Sequence, residues 1–133
     1  MEKVNLAEKF SQINDHFNPR IAGELNGQQV KLVKFRGEFI WHHHDDEDEM
    51  FYVIKGSFDM QLRSERTLQR SPDVSSEEKT ITINAGEFLI VPKGVEHRPV
   101  ATEEVEIMLF EPATTRNTGN VINERTVTGL KLI

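Results

Sequence analysis

The chain contains no cysteine. Disulfides and thiolate metal sites are therefore both excluded, and any bound metal must be held by histidine, carboxylate or backbone oxygen. It also lacks a basic cluster. The 16 Lys and Arg are outnumbered by 22 Asp and Glu, for a formal charge of −6. The cations are scattered along the chain, without the clustering that neutralises phosphates, so nucleic acid is not an expected partner. No apolar run approaches the roughly 18 residues that cross a bilayer. The N-terminus, MEKVNLAEKF, alternates charged and apolar residues where a signal core would be continuous. These features predict a cytoplasmic protein with no membrane partner. There is no Ser-His-Asp ordering, no phosphate-cradling glycine loop and, without cysteine, no thiol nucleophile.

What remains is enough for one small domain spanning 1–133. At 133 residues with 37% apolar content, a chain can bury roughly two thirds of its unfolded surface around one core. Its 29% charged residues and mean hydropathy of −0.49 predict a well solvated exterior. Leu6, Phe10, Ile13 and Phe17 recur at helical spacing behind Asn5, a residue suited to an N-cap, so a helix is expected over 5–16. Beyond NPR at 18–20 the chain reads as strands. QVKLVKF, EFIWH, EMFYVIKG, FDMQLRS, KTITI, GEFLIVP and VEIMLFEP are short, rich in β-branched and aromatic residues, and separated by Gly, Asn and Pro. Such spacing predicts an all-β sandwich or barrel over about 20–112. The polar stretch 64–79 is expected to be a long hairpin loop, with a lid over the barrel mouth as the alternative. In the C-terminal extension, 113–133, TV and LKLI keep strand-forming residues that can add to an edge.

The densest chemistry lies in WHHHDDEDEMFYVIKG, residues 41–56, where three histidines precede five consecutive acids. Taken alone, this could be a solvated turn. On a strand, however, His42 and His44 share a face, with Cα atoms ~6.5 Å apart. Two imidazoles so placed can share a cation at ~2.1 Å from each nitrogen. His43 has the opposite parity and points away with Trp41. Asp45, Asp46 and Glu47 suit a turn, and Asp48 suits the turn or the outer support of a site. Glu49 opens the next strand on the face of Phe51 and Val53, so it is the acid expected to point inward. A second segment, GEFLIVPKGVEHRPV at 86–100, adds a glycine-led strand, a Pro-x-Gly turn and His97. His16, beside Phe17, is expected at the surface or at a helix end. Tyr52, Arg36 and Arg98 are candidates for substrate contact.

These two segments resemble the paired motifs of the cupin superfamily. Gly37, His42, His44, Glu49 and Gly56 match the first, with four residues after Gly37 where five are usual. Gly86, Pro92, Gly94 and His97 match the second, with Ala101 where an Asn is common. The strand pattern extends the likeness over about 28–112. The resemblance implies a double-stranded β-helix, or jelly-roll, barrel with one divalent metal ion per chain, held by His42, His44, Glu49 and His97. In relatives with all four ligands, that metal is commonly iron, manganese, nickel, copper or zinc. Three imidazoles and a carboxylate suit first-row metals better than Mg or Ca, and an octahedral ion would keep two positions for water or substrate.

The chain is most similar to short single-domain cupins, often described as mannose-6-phosphate isomerase-like. A phosphosugar enzyme needs cations facing its phosphate, and the inward positions assignable from sequence are apolar or metal ligands. The expected function is that of a metal-dependent enzyme acting on a small organic molecule, by isomerase- or dioxygenase-like chemistry, with Glu49 alternating between ligand and base. The alternative is a non-catalytic cupin that binds or senses a sugar or organic acid. The strand MFYVI has large apolar residues on both faces, so its outer face needs a cover. Cupins of this size are often dimers, and a homodimer held by Trp41, Tyr52 and neighbouring Val and Ile is expected.

Overall fold

A computed structural model describes residues 1–63 and 78–133. The expected loop at 64–79 lies outside the described residues, except for Glu78 and Lys79, which begin a strand. The single short helix among the described residues, α1 (Leu6–Ser11), is capped by Asn5, whose side chain accepts a hydrogen bond from the Glu8 N–H at 3.0 Å. It is shorter than the expected 5–16. Phe10 and Ile13 are buried on one side, with Leu32 and the partly buried Leu6, Ile54 and Met108. Phe17 leaves that surface to stack on Phe35 in the main core. Its φ of 56° is incompatible with a continuing right-handed helix.

Among the described residues seven strands follow: β1 (Arg20–Leu25), β2 (Gln28–Glu38), β3 (Glu49–Lys55), β4 (Ser57–Arg63), β5 (Glu78–Asn84), β6 (Phe88–Val91) and β7 (Glu96–Pro112). β1 is not among the strands expected from the sequence. It pairs antiparallel with β2 across Asn26 and Gly27, whose φ values of 51° and 78° fit a two-residue hairpin turn with both residues left-handed. EFIWH, in contrast, does not form a strand: β2 ends at Glu38, and residues 39–48 contribute one isolated bridge, at His42.

The sheet order is β1-β2-β7-β3-β6, with β4 pairing both β5 and β7. The 17-residue β7 holds this arrangement together. Its first part pairs with β4 from Glu96 to Val100, and its second part lies between β2 and β3. A register break in β2 between Phe35 and Gly37 lets the sheet bend where β7 passes from one set of partners to the other. Curled this way, the sheet makes the expected jelly-roll barrel. Alternate residues fill its interior: Glu49, Phe51 and Val53 from β3, Phe58 and Met60 from β4, and Val105, Ile107 and Leu109 from β7. Near the C-terminus the LKLI segment joins the β1 edge, where Ile21 pairs with Leu132.

The outer face of the sheet is covered in part. α1 packs over Ile54 and Met108. Farther along, Met50 lies opposite Ile90 and Tyr52 opposite Phe88, and Phe88 and Ile90 remain 59% and 52% exposed. Trp41 is no part of an open apolar patch, because the Arg63 guanidinium lies 4.2 Å from its ring centre. Phe10→Ala should destabilise the chain by about 3 kcal/mol in urea unfolding, because it removes the ring that attaches α1 to the sheet.

Candidate metal centre

The histidine-bearing segment 39–48 has no ladder of its own, so its position depends on bonds to other parts of the chain. The His42 N–H donates to the His97 carbonyl at 3.1 Å, and the His97 N–H donates back to the His42 carbonyl at 2.8 Å. The His44 carbonyl accepts from the Gly94 N–H at 2.7 Å. His43 exchanges a pair of bonds with Asn120: its N–H donates to Oδ1 at 2.9 Å, and its carbonyl accepts from the Asn120 N–H at 2.9 Å. Three backbone clamps, one at each histidine, thus replace the strand expected from side-chain parity.

His42, His44, Glu49 and His97 are all buried, and each offers one ligand atom within 4.8 Å of the other three. Two of the imidazoles are oriented from behind. His42 Nδ1 lies 2.9 Å from the Ile40 carbonyl and His97 Nδ1 lies 2.8 Å from the Val95 carbonyl. A carbonyl only accepts, so both Nδ1 atoms carry a hydrogen, which leaves the two Nε2 atoms as the positions available to a ligand bond. Glu49 Oε1 lies 2.6 Å from His44 Nε2 and 3.2 Å from His97 Nε2. Despite these short separations, none of the three atoms has an aligned hydrogen bond among the described residues. Buried polar atoms without partners are costly, and these three are aimed at a common point, an arrangement that suits a cation. Burial, with His97 the next influence, pushes the His42 pKa down to about 3, which keeps that imidazole neutral and able to act as a ligand. Burial alone would raise the Glu49 pKa, but its contacts with Glu111, His44 and His97 outweigh it and hold the carboxyl well below its usual range. The donor set and its protonation fit a first-row divalent ion.

The other candidates lie elsewhere. The His43 ring faces Asp45 at 2.9 Å and Glu96 at 3.4 Å, away from the cluster. His16 meets Glu104 at 2.7 Å, and Asp48 accepts from the Lys93 N–H at 2.8 Å in the turn behind the site. Arg98 bonds Gln61 at 2.8 Å and lies over Trp41, while Tyr52 is on the outer sheet face. None of these side chains lines the cavity beside the cluster.

That cavity, about 430 Å³ of space between atoms and partly open to solvent, is bordered by His42 and Glu49 and by Phe17, Phe35, Phe39 and Phe51. Its wall also includes Lys31 and Glu111. Their side chains are buried and joined at 2.8 Å, and Lys31 Nζ bonds the Thr115 carbonyl at 3.3 Å as well. The expectation that inward positions are only apolar or metal ligands therefore fails. Lys31 shares the parity of Val33 and Phe35, and Glu111 that of Leu109, so the alternation itself carried the signal. Burial and then the neighbouring Glu49 charge push the Glu111 carboxyl well above its usual range.

A cupin domain model matches residues 30–111. The chain belongs to the cupin family. A crystallised cupin-2 domain protein from Shewanella frigidimarina is 43% identical, with a TM-score of 0.68 over 82% of this chain and 93% of that one. The protein YdbB of Bacillus subtilis, itself uncharacterized, is 33% identical over 75 residues, which are 56% of this chain and 55% of YdbB. The match thus spans about half the length of that curated relative. The cupin fold also aligns with hydroquinone 1,2-dioxygenase PnpCD, solved with Fe3+, at a TM-score of 0.70 and 17% identity, over 86% of this chain and 33% of that one. At that identity the likeness concerns fold alone.

Gly119 was not singled out by the sequence. It has φ of 55°, and a Cβ there would lie 2.2 Å from the His43 carbonyl oxygen and 3.1 Å from His42 Cδ2. Gly119→Ala should therefore displace the histidine segment and cost about 2 kcal/mol or more in thermal or urea unfolding.

Proposed function

We propose that this cupin binds one divalent first-row metal ion per chain through His42, His44, Glu49 and His97, and that it is a metal-dependent enzyme for a small organic molecule. The observation that carries this reading is the convergence of His44 Nε2, His97 Nε2 and Glu49 Oε1, buried and without aligned hydrogen bonds, on the same point. When bound, iron, manganese, nickel, copper or zinc would supply Lewis-acid polarisation of a substrate oxygen and, for the redox-active members of that set, electron transfer.

The protein's own residues would do the rest. The Ile40 and Val95 carbonyls hold the His42 and His97 rings in one tautomer. The phenylalanines around the cavity exclude water and would hold the apolar part of a substrate. Glu49 is the carboxylate among the four ligands and also borders the cavity, so it is assigned the role of ligand and base, in isomerase- or dioxygenase-like chemistry. Glu111 supplies a second carboxyl against Glu49 inside the same cavity. That pairing favours catalysis over a non-catalytic cupin that binds or senses a small molecule, where one ligand carboxylate suffices.

Elemental analysis of untagged protein should find one metal ion per chain. His97→Ala should lose the metal and lower the melting temperature, while His43→Ala should keep its metal. Equal loss in both variants would disprove the ligand assignment, and a metal-free wild type would disprove the site. Assays under air and under nitrogen then separate oxygen-dependent from isomerase-like turnover.

The reading also includes a cytoplasmic homodimer, formed where Phe88 and Ile90 are exposed beside Met50 and Tyr52. Light scattering should give twice the 15.3 kDa chain mass. A concentration-independent monomer would show that this face needs no protein cover.

A further inference from the structure

The Lys31–Glu111 pair has no evident purpose in folding. Replacing a buried ion pair with apolar residues of similar volume is often neutral or stabilising, and the surrounding wall of Phe35, Phe51 and Leu109 would accommodate such a change. The pair nonetheless lies at 2.8 Å, almost fully enclosed, in the same cavity as Glu49 and His42. An ammonium has three donors. The Glu111 carboxyl and the Thr115 carbonyl take two of them, which leaves one N–H. Among the described residues, Lys31 is the one Lys or Arg lining this cavity.

We infer that Lys31 is the anchor for the acid group of a small organic carboxylate, whose apolar body lies among the phenylalanines between Lys31 and the metal position. The inference deepens the proposed metal-dependent function and rests on it for the charge argument. Glu49 offsets only part of a divalent ion's charge, and Glu111 at most balances Lys31. The enclosed pocket therefore carries at least one uncompensated positive charge, which a monoanion relieves and a neutral molecule does not. A single buried ammonium with one free donor suits a carboxylate oxygen. Glu111 in turn holds the ammonium in place and lines the same cavity as Glu49.

The test is calorimetric titration of the full chain, both metal-loaded and chelated, with two charged and neutral pairs: acetate against acetamide and benzoate against benzamide. In the loaded wild type at least one carboxylate should bind about tenfold or more tightly than its amide. In Lys31→Met/Glu111→Gln that preference should fall to about threefold or less, with metal content and melting temperature retained. Lys31→Gln/Glu111→Gln, which keeps a neutral hydrogen-bonded pair, provides the same readout if the first variant does not fold. The inference is overturned if amides bind as well as carboxylates, if neither carboxylate reaches a Kd below about 10 mM, or if the preference survives in the variant. In that last case the anion is held by the metal alone, and Lys31 only fastens Thr115. A chain that takes up no metal yet discriminates through Lys31 when chelated would disprove the metal site and leave the anchor standing.

Discussion

The two backbone hydrogen bonds between His42 and His97 are the constraint on which the rest of the site depends. They join an irregular segment to a long strand and bring together two imidazoles 55 residues apart in sequence. Without them, residues 39–48 have no ladder to hold them, and their side chains could not converge. Each neighbouring histidine is clamped as well, His43 by Asn120 and His44 by Gly94. The C-terminal extension therefore packs as part of the barrel: Gly119 and Asn120 lie directly against the histidine segment. A loop under this much control can carry a site with the precision usually provided by regular structure.

Two regions of this cupin spend stability on buried polarity, and they adjoin. One is the histidine–glutamate cluster, where His44 Nε2, His97 Nε2 and Glu49 Oε1 lack aligned partners among the described residues. The other is the Lys31–Glu111 pair, closed off from water in the barrel wall. Nearby apolar packing offsets the cost. Val33, Val53, Val105 and Ile107 are fully enclosed, and each such side chain contributes about 1.5 to 3 kcal/mol of burial. The polar groups occupy one end of that interior, beside the cavity that Phe17 helps to line. That ring, stacked 4.8 Å from both Phe35 and Phe39, has a left-handed backbone that an aromatic residue adopts only under strain.

The identity of the clustered residues was legible in the sequence, but the way two of the rings are placed was not. His42, His44, Glu49 and His97 stand out by residue type and spacing, and the structure brings all four together. The parity argument for His42 and His44 assumed a strand that does not form; long-range backbone bonds place the two rings instead. Glu49 does follow strand parity, with Phe51 and Val53. The barrel was legible from its short β-rich segments, but β1 was not, because RIAGEL mixes Gly and charge into a weak strand pattern. Its Asn26–Gly27 turn was the available signal. Lys31 and Glu111 were missed for a different reason. A charged residue on a core-facing position reads as an error in the pattern until its partner is known, and that partner is 80 residues away on β7. Gly119 and Asn120 left no local signal, since what they touch is set only by tertiary structure.

Convergence of three imidazoles and one carboxylate on a single ion is tested most directly by X-ray absorption at the edge of the bound metal, on untagged protein in solution, because the scattering pattern counts imidazole ligands. Three imidazoles together with oxygen donors are expected, falling to two in His42→Ala. A wild-type spectrum with one imidazole or none, or one unchanged in His42→Ala, would contradict it.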